Sequence, residues 1–251
     1  SQEMKTSAGA TWDAPTAGNA LSGTWASAFG EQIDIVVSNN DGMGMSMYSN
    51  WAKENKVPVF GYDANSDAVA ALGDTDFPYG GTISQNPAVQ AYLTLRLLRN
   101  SLDGVDVNTG VGKADDAGNV IAKDDFKYSE KDRSFYAMNL EVTADNYKDF
   151  MDPANTLYET AQAQLDEGDS AKKKVWLSIY NSADNFLGST YKPLLEKYAP
   201  LLNLDLEVVQ GDGQNESSIT NKLGNPADFD AFAINMVKTD NGASYTSILG
   251  Q

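Results

Sequence analysis

The chain has 251 residues, with 35 acidic and 18 basic side chains and a net charge of −17. A surface this acidic repels phosphate backbones, which argues against nucleic acid as a partner. The sequence contains no cysteine and no histidine, which excludes thiol nucleophiles, imidazole general bases and most transition-metal sites. No stretch approaches the roughly 18 uninterrupted apolar residues of a membrane span.

Strands and helices alternate along the first half, a rhythm that predicts parallel sheets with crossover helices. The Met-rich stretch after Asn40 predicts a helix. Asn86-Pro87 opens another helix, which we expect to end at Asp103-Gly104. The predicted strands of this half cover residues 33–38, 57–61 and 81–84.

The alternation breaks down between residues 105 and 133, where Gly, Asp, Asn and Lys dominate and a loop or hairpin is predicted. A strand at 135–140 and a short helix at 143–150 follow. Residues 152–171 are polar and rich in Gln and Glu, which is typical of a linker.

The alternation then restarts. A final helix begins near Gly242, and we expect it to be still helical where the chain stops at Gln251. The other elements predicted here are strands at 175–180, 204–209 and 229–237 and helices at 187–198 and 216–223.

Three stretches together carry a resemblance to a known family. They read IVVSNNDGMGM from Ile35, VPVFGYDA from Val57 with GTI from Gly81, and IYNSADNF from Ile179 with AFAIN from Ala231. With these spacings the chain resembles the galactose/glucose-binding proteins of the periplasmic binding protein type I superfamily. The resemblance implies an α/β fold with Rossmann-like parallel sheets in two lobes, here incomplete.

The order of the segments differs from that of the family. Residues 1–151 resemble half of the C-terminal lobe plus a return strand to the first lobe. Residues 152–171 would be the linker, and residues 172–251 resemble the first half of the N-terminal lobe. The chain is therefore either the middle of a polypeptide with two tandem modules or a circular permutant with a deletion. The linker and the interrupted last helix favour the first. No signal peptide is visible and the chain does not begin with methionine, so processing or truncation at the N-terminus is expected.

The chemistry of a hexose suggests which residues to look for. Carboxylates and amides suit its ring hydroxyls, and flat aromatic rings suit its weakly apolar faces. In open α/β sheets, ligands bind beyond the carboxyl ends of the strands. The candidates that follow predicted strand ends are Asn40, Asp63, Gln85, Asp184, Phe186 and Asn235.

By resemblance, Asn40 and Asp63 bind ring hydroxyls from the second lobe, and Asp184 and Asn235 bind them from the first. Phe186 and Trp12 would stack on opposite faces of the sugar, while Gln85 stands where the family usually has Asn. Each residue also has an ordinary structural interpretation: Asn40 as a helix cap, Phe186 as core, and Trp12 as a hydrophobic staple.

No cofactor is predicted. Asp34 stands at the family's acidic calcium position, but no loop with calcium-type spacing accompanies it, so we expect no competent metal site. Nothing marks a pair of carboxylates as a catalytic acid and base, which argues against an enzyme such as a glycosidase.

The resemblance thus implies a periplasmic or extracellular sugar-binding component of an ABC transporter. Its partners would be a monosaccharide and a membrane permease, with membrane association through the transporter or through an anchor outside this chain. The alternative is the sugar-sensing ectodomain of a chemotaxis or histidine-kinase receptor, or the effector domain of a regulator.

Overall fold

The computed structural model describes residues 13–107, 126–151, 171–181, 183–213 and 215–250. The chain divides into two compact units, and each unit takes two separate stretches of sequence. Unit 1 comprises Ser1–Asn86 and Asn139–Pro153, and unit 2 comprises Pro87–Met138 and Ala154–Gln251.

Helices and strands alternate through most of the described chain. The strands are β1 (Val36–Val37), β2 (Val59–Phe60), β3 (Thr82–Ser84), β4 (Phe126–Ser129), β5 (Ser134–Ala137), β6 (Leu140–Val142), β7 (Lys173–Ile179), β8 (Leu204–Gln210) and β9 (Ala231–Ile234). The α-helices are α1 (Ala14–Asn19), α2 (Ala26–Phe29), α3 (Asp41–Met47), α4 (Ser66–Ala71), α5 (Pro87–Leu102), α6 (Lys192–Tyr198), α7 (Glu216–Thr220) and α8 (Gly242–Leu249). Single π-helical turns extend α1, α3 and the start of α6, at Ala20–Trp25, Tyr48–Ala52 and Leu187–Tyr191.

Unit 1 is built on short strands. β1 and β2 pair in parallel with Val36 opposite Val59, and one parallel bridge joins Phe60 to Gly81 just before β3. β3 then pairs antiparallel with β6, which returns from the later part of the sequence. The core beneath includes Met43 and Met47 from the predicted Met-rich helix. The carboxyl ends of β1 and β2 lead directly into the segments that carry Asn40 and Asp63.

One face of β1 and β2 is open to solvent. Ile35, Val37 and Phe60 are 54%, 76% and 37% exposed, whereas Val36 and Val59 on the opposite face are buried. Successive side chains of a strand point to opposite faces, so the exposed residues form one apolar surface.

Unit 2 has a parallel sheet in the order β8-β7-β9, with Trp176 opposite Glu207 and Phe232. The central strand β7 is buried along most of its length, as is typical of parallel strands covered on both faces. A separate antiparallel hairpin joins β4 to β5, with Tyr128 opposite Phe135.

Helix α5 belongs to unit 2, although it precedes β7 by some 70 residues of sequence. Asn86, at φ +52°, precedes it, and Pro87 occupies its first turn, where a missing N–H costs nothing. Its apolar side packs into the core that β7 and α6 line. The core residues from α5 are Ala88, Val89, Ala91, Tyr92, Leu93 and Leu95. Whether the sequence divides into modules at 1–151, 152–171 and 172–251 stays a prediction.

Most predicted elements are confirmed in type and shortened in length, but the helix predicted at 143–150 is a short 3-10 helix at Tyr147–Phe150. β1 and β2 span two residues each, and the strand predicted at 135–140 is divided between β5 and β6. α8 ends at Leu249, and Gly250 follows at φ +75° as a left-handed C-cap. The prediction that this helix continues to Gln251 is therefore wrong. Within the predicted excursion at 105–133, the described residues include β4, while residues 108–125 lie outside the described residues. Of the linker predicted at 152–171, residues 152–170 lie outside them as well. Among the described helices, none is long and apolar enough to cross a membrane.

Candidate functional site

Asp63 and Gln85 contact each other at the ends of β2 and β3. The Gln85 side-chain amide donates to Asp63 Oδ1, and the Asp63 backbone N–H donates to Ile83 O at 2.8 Å. Asp63 is 9% exposed. The structure therefore brings together two of the predicted site residues, a carboxylate and an amide, the groups suited to sugar hydroxyls.

The backbone at this point is strained. Asp63 has φ +111° and Ala64 has φ +52°, both in the left-handed region that non-glycine residues rarely adopt. Each such residue costs about 1–3 kcal/mol and persists only where its surroundings determine it. Two in succession show that this segment is held by its contacts.

Asn40 is the N-cap of α3. Its Oδ1 accepts a hydrogen bond from Met43 N at 2.8 Å, so the structural interpretation of this residue is confirmed. The cap uses the amide oxygen, and the amide nitrogen on the same side chain is the kind of donor that a sugar hydroxyl accepts from.

Asp41, the first residue of α3, is completely buried. Its Oδ2 accepts from Asn65 N at 2.9 Å and from Thr82 Oγ1 at 2.8 Å, and Tyr79 Oη donates to Oδ1 over a long 3.4 Å. This cluster connects the start of α3 to β3 and to the segment after Asp63. The sequence places Asp41 beside Asn40 after the predicted strand but assigns it no role of its own, because its partners lie 24 to 41 residues away.

Two glycines make room for the Asp41 cluster. A Cβ on Gly61 would lie 2.0 Å from Asp41 Oδ1, and a Cβ on Gly44 would lie 2.1 Å from Tyr79 Oη. Both positions exclude a side chain for the same reason: the buried carboxylate and phenol occupy that space.

Burial, and to a smaller extent the charges of Asp63 and Asp67, raises the pKa of Asp41 to about 7, although the hydrogen bonds from Thr82 and Asn65 lower it. The folded protein then keeps a proton that the unfolded chain releases above about pH 4, so stability falls as the pH rises from 4 to 7. We expect the free energy of unfolding of Asp41→Asn to exceed that of wild type increasingly over this range, by up to about 4 kcal/mol. Urea denaturation at pH 4, 5.5, 7 and 8 measures the difference. Asp149→Asn, an exposed site in the same unit, should show no such growth, and equal pH profiles for wild type and Asp41→Asn would contradict the prediction.

In unit 2, Asp184 and Asn235 both bind backbone at the end of β7. Asp184 Oδ1 accepts from Leu187 N at 2.9 Å, which starts the helical turn after the loop. Asn235 Oδ1 accepts from Tyr180 N at 3.2 Å, and Asn235 N donates to Ser178 Oγ at 3.0 Å. Asp184 follows β7 and Asn235 follows β9 at the carboxyl edge of the sheet, where ligands of such folds bind.

Phe186 is 8% exposed and belongs to the core of unit 2. Its ring is nearly parallel to that of Tyr191, with centroids 6.1 Å apart. This placement matches the core interpretation of Phe186. Trp12, the other predicted stacking residue, lies outside the described residues.

Glu216, at the start of α7, organises the segment that follows Asn235. It accepts hydrogen bonds from Val237 N at 3.0 Å, from the Asn241 amide and from the Tyr245 phenol. Burial, followed by the Glu216 hydrogen bond and charge, raises the pKa of Tyr245. No sequence pattern indicated this role, because the partners lie 21 to 29 residues away.

Two family models described as periplasmic binding protein domains match the chain, one over residues 1–106 and the other over residues 172–242. The two matches lie on either side of residues 107–171, which include the β4–β5 hairpin and the predicted linker. The three stretches that carried the resemblance lie within these two matches.

Curated relatives are similar over parts of their length. The D-galactose/methyl-galactoside binding periplasmic protein MglB of Haemophilus influenzae is 26% identical over 141 residues, which is 56% of this chain and 38% of that protein. The xylitol-binding protein of Mycolicibacterium smegmatis is 34% identical over 102 residues, which is 40% of this chain and 28% of that protein. The alignments thus span less than two-fifths of either relative. Together with the family models and the parallel α/β sheets, they support a type I periplasmic binding protein of the galactose-binding family.

Proposed function

We propose that the chain is part of a binding protein for a hexose or a closely related polyol, which it holds without chemical change. The observation that carries this proposal is the Asp63–Gln85 pair, a nearly buried carboxylate and an amide at adjoining strand ends on a strained backbone. The two relatives support this proposal, because they are named for binding galactose and xylitol, which are both polyhydroxylated molecules of similar size.

The chemistry of the proposed contacts is simple. A carboxylate can accept hydrogen bonds from two adjacent hydroxyls at once, and an amide can both donate and accept. The pair can therefore distinguish sugars by the arrangement of their neighbouring hydroxyl groups. We propose the same role for Asn40 in unit 1 and for Asp184 and Asn235 in unit 2. We also propose that Trp12 and Phe186 each stack on an apolar face of a bound sugar.

The biological setting is proposed on the same basis. The chain would act in the periplasm or outside the cell and deliver its sugar to a membrane permease of the ABC type. We propose that no metal ion is needed, so a chelator should leave sugar affinity unchanged.

Asp63→Asn is expected to weaken binding of the preferred sugar about 10- to 100-fold, because a charge-assisted hydrogen bond contributes about 1.5–3 kcal/mol. Isothermal titration with D-galactose, D-glucose and xylitol measures the affinity, and chromatography of the recovered ligand checks that it is unchanged. Asp149→Asn makes the same change of charge on an exposed residue of unit 1 and should bind as wild type does. Failure of the wild-type chain to bind any of the three, or equal affinity of Asp63→Asn, would count against the proposal.

A further inference from the structure

The segment after β2 is held by three consecutive backbone amides. Asp63 N donates to Ile83 O at 2.8 Å, Ala64 N donates to Thr82 Oγ1 at 3.2 Å, and Asn65 N donates to Asp41 Oδ2 at 2.9 Å. The first partner is backbone of β3, and the other two are side chains.

The two side-chain partners act together. Thr82 Oγ1 donates its own proton to Asp41 Oδ2 at 2.8 Å, which turns the lone pairs of the hydroxyl toward the Ala64 N–H. A hydroxyl with no acceptor for its proton would have no such fixed orientation. Asp41 therefore controls the Asn65 amide directly and the Ala64 amide through Thr82.

This network surrounds the strained part of the backbone. Residues 63 and 64 have left-handed φ values, a conformation that persists only where contacts on several sides determine it. Asp41 supplies those contacts from α3, which is a different element from the two strands that Asp63 and Gln85 follow.

We propose that Asp41 is a positioning residue for Asp63: through Thr82 and the Asn65 amide it fixes residues 63–65 in the conformation that places the Asp63 carboxylate beside Gln85. The proposal rests on the proposed function in so far as Asp63 binds the sugar. Asp41 itself is completely buried, so the proposed role is positioning and not direct contact.

A packing role alone does not account for an acid at this place. The carboxylate is desolvated, and the charges of Asp63 and Asp67 oppose its ionisation, while Tyr79, Thr82 and Asn65 supply its hydrogen-bond donors. An apolar side chain of similar volume would avoid that cost but could accept neither the Thr82 bond nor the Asn65 bond. An asparagine can keep both, because a single amide oxygen has two lone pairs and both donors converge on Oδ2.

The test compares Asp41→Asn and Asp41→Ala in the full chain, alone and combined with Asp63→Asn. With D-galactose and xylitol as ligands, we expect Asp41→Ala to weaken binding about 10-fold and Asp41→Asn to stay within about 2-fold of wild type. In the Asp63→Asn background, Asp41→Ala should add less than about 2-fold, because the group that it positions is already lost.

A second measurement needs no sugar. Hydrogen exchange of the Asn65 amide, followed by NMR, should be faster in Asp41→Ala and unchanged in Asp41→Asn. If Asp41→Ala does not fold, Thr82→Val takes its place, since it removes the acceptor of the Ala64 amide; it should weaken binding in the wild-type background only.

The outcomes separate the two proposals. Absence of sugar binding in wild type with the expected exchange pattern would refute the proposed function and leave Asp41 as the residue that fixes the segment. The positioning role would be refuted if Asp41→Ala and Thr82→Val both bound sugar with wild-type affinity. It would also be refuted if Asp41→Ala reduced sugar affinity equally in the wild-type and the Asp63→Asn backgrounds, whatever the hydrogen exchange shows.

Discussion

A chain that lacks residues 87–138 is expected to lose the folded structure of residues 171–250 as well. Helix α5 contributes six buried residues to the core shared with β7 and α6. Burial of one Val, Leu or aromatic side chain contributes about 1.5–3 kcal/mol, so the sum that α5 contributes is comparable to the whole stability of a typical domain. Hydrogen exchange of β7 measures the effect directly, and we expect protection of β7 to be lost in the deleted chain.

A point substitution in the full chain also tests whether α5 stabilises the core of unit 2. Leu95 is completely buried, and Leu95→Ala is expected to destabilise unit 2 by about 2–5 kcal/mol. Leu97 on the same helix is only half-buried, and Leu97→Ala should cost distinctly less. In both variants the faster exchange should be confined to unit 2, in α5, α6 and β7 to β9, with β2 and β3 of unit 1 unchanged. Wild-type protection of β7 without residues 87–138 would show that α5 is dispensable for this core.

Gly44→Ala is expected to destabilise unit 1 by about 3 kcal/mol, because the new methyl group would lie 2.1 Å from Tyr79 Oη and 3.3 Å from the Ser38 Cβ. The displaced phenol is packed edge-to-face against Tyr48 and bonded to the buried Asp41, so it has little freedom to move. Thermal unfolding followed by circular dichroism measures the loss.

The helix contains its own control. Gly42 lies in the same helix, and a Cβ there meets only Asn40 Oδ1, at 3.6 Å. Gly42→Ala should therefore change stability by less than about 1 kcal/mol, in the stabilising direction that helix propensity favours. Tyr79→Phe removes the oxygen responsible for the clash, so combining it with Gly44→Ala should recover part of the loss. A Gly44→Ala protein as stable as Gly42→Ala would contradict the predicted crowding.

The elements were predictable because their signals are local. Pro87 after Asn86 and the apolar spacing of the following residues predict α5, and Asn40 before the Met-rich stretch predicts α3 and its cap. The short strands β1 and β2 were overestimated, since an apolar run such as 33–38 does not show which of its residues have a pairing partner.

The membership of α5 in unit 2 was not readable from its own residues. An amphipathic helix specifies that one side is buried but not which core covers it. The candidate site shows the same division. Asp63 and Gln85 follow predicted strand ends and do meet, whereas the roles of Asp41 and Glu216 depend on partners more than 20 residues away that no local pattern reveals.

The exposed apolar face of β1 and β2 suggests a physical role for the net charge of −17, which is to oppose association between molecules. The apolar surface is formed by Ile35, Val37 and Phe60, and a second molecule could associate through it. Electrostatic repulsion between the negatively charged molecules opposes that association. Salt screens this repulsion over a Debye length of about 8 Å at physiological ionic strength and leaves the apolar attraction intact. Association through this surface is therefore expected to increase as the ionic strength rises.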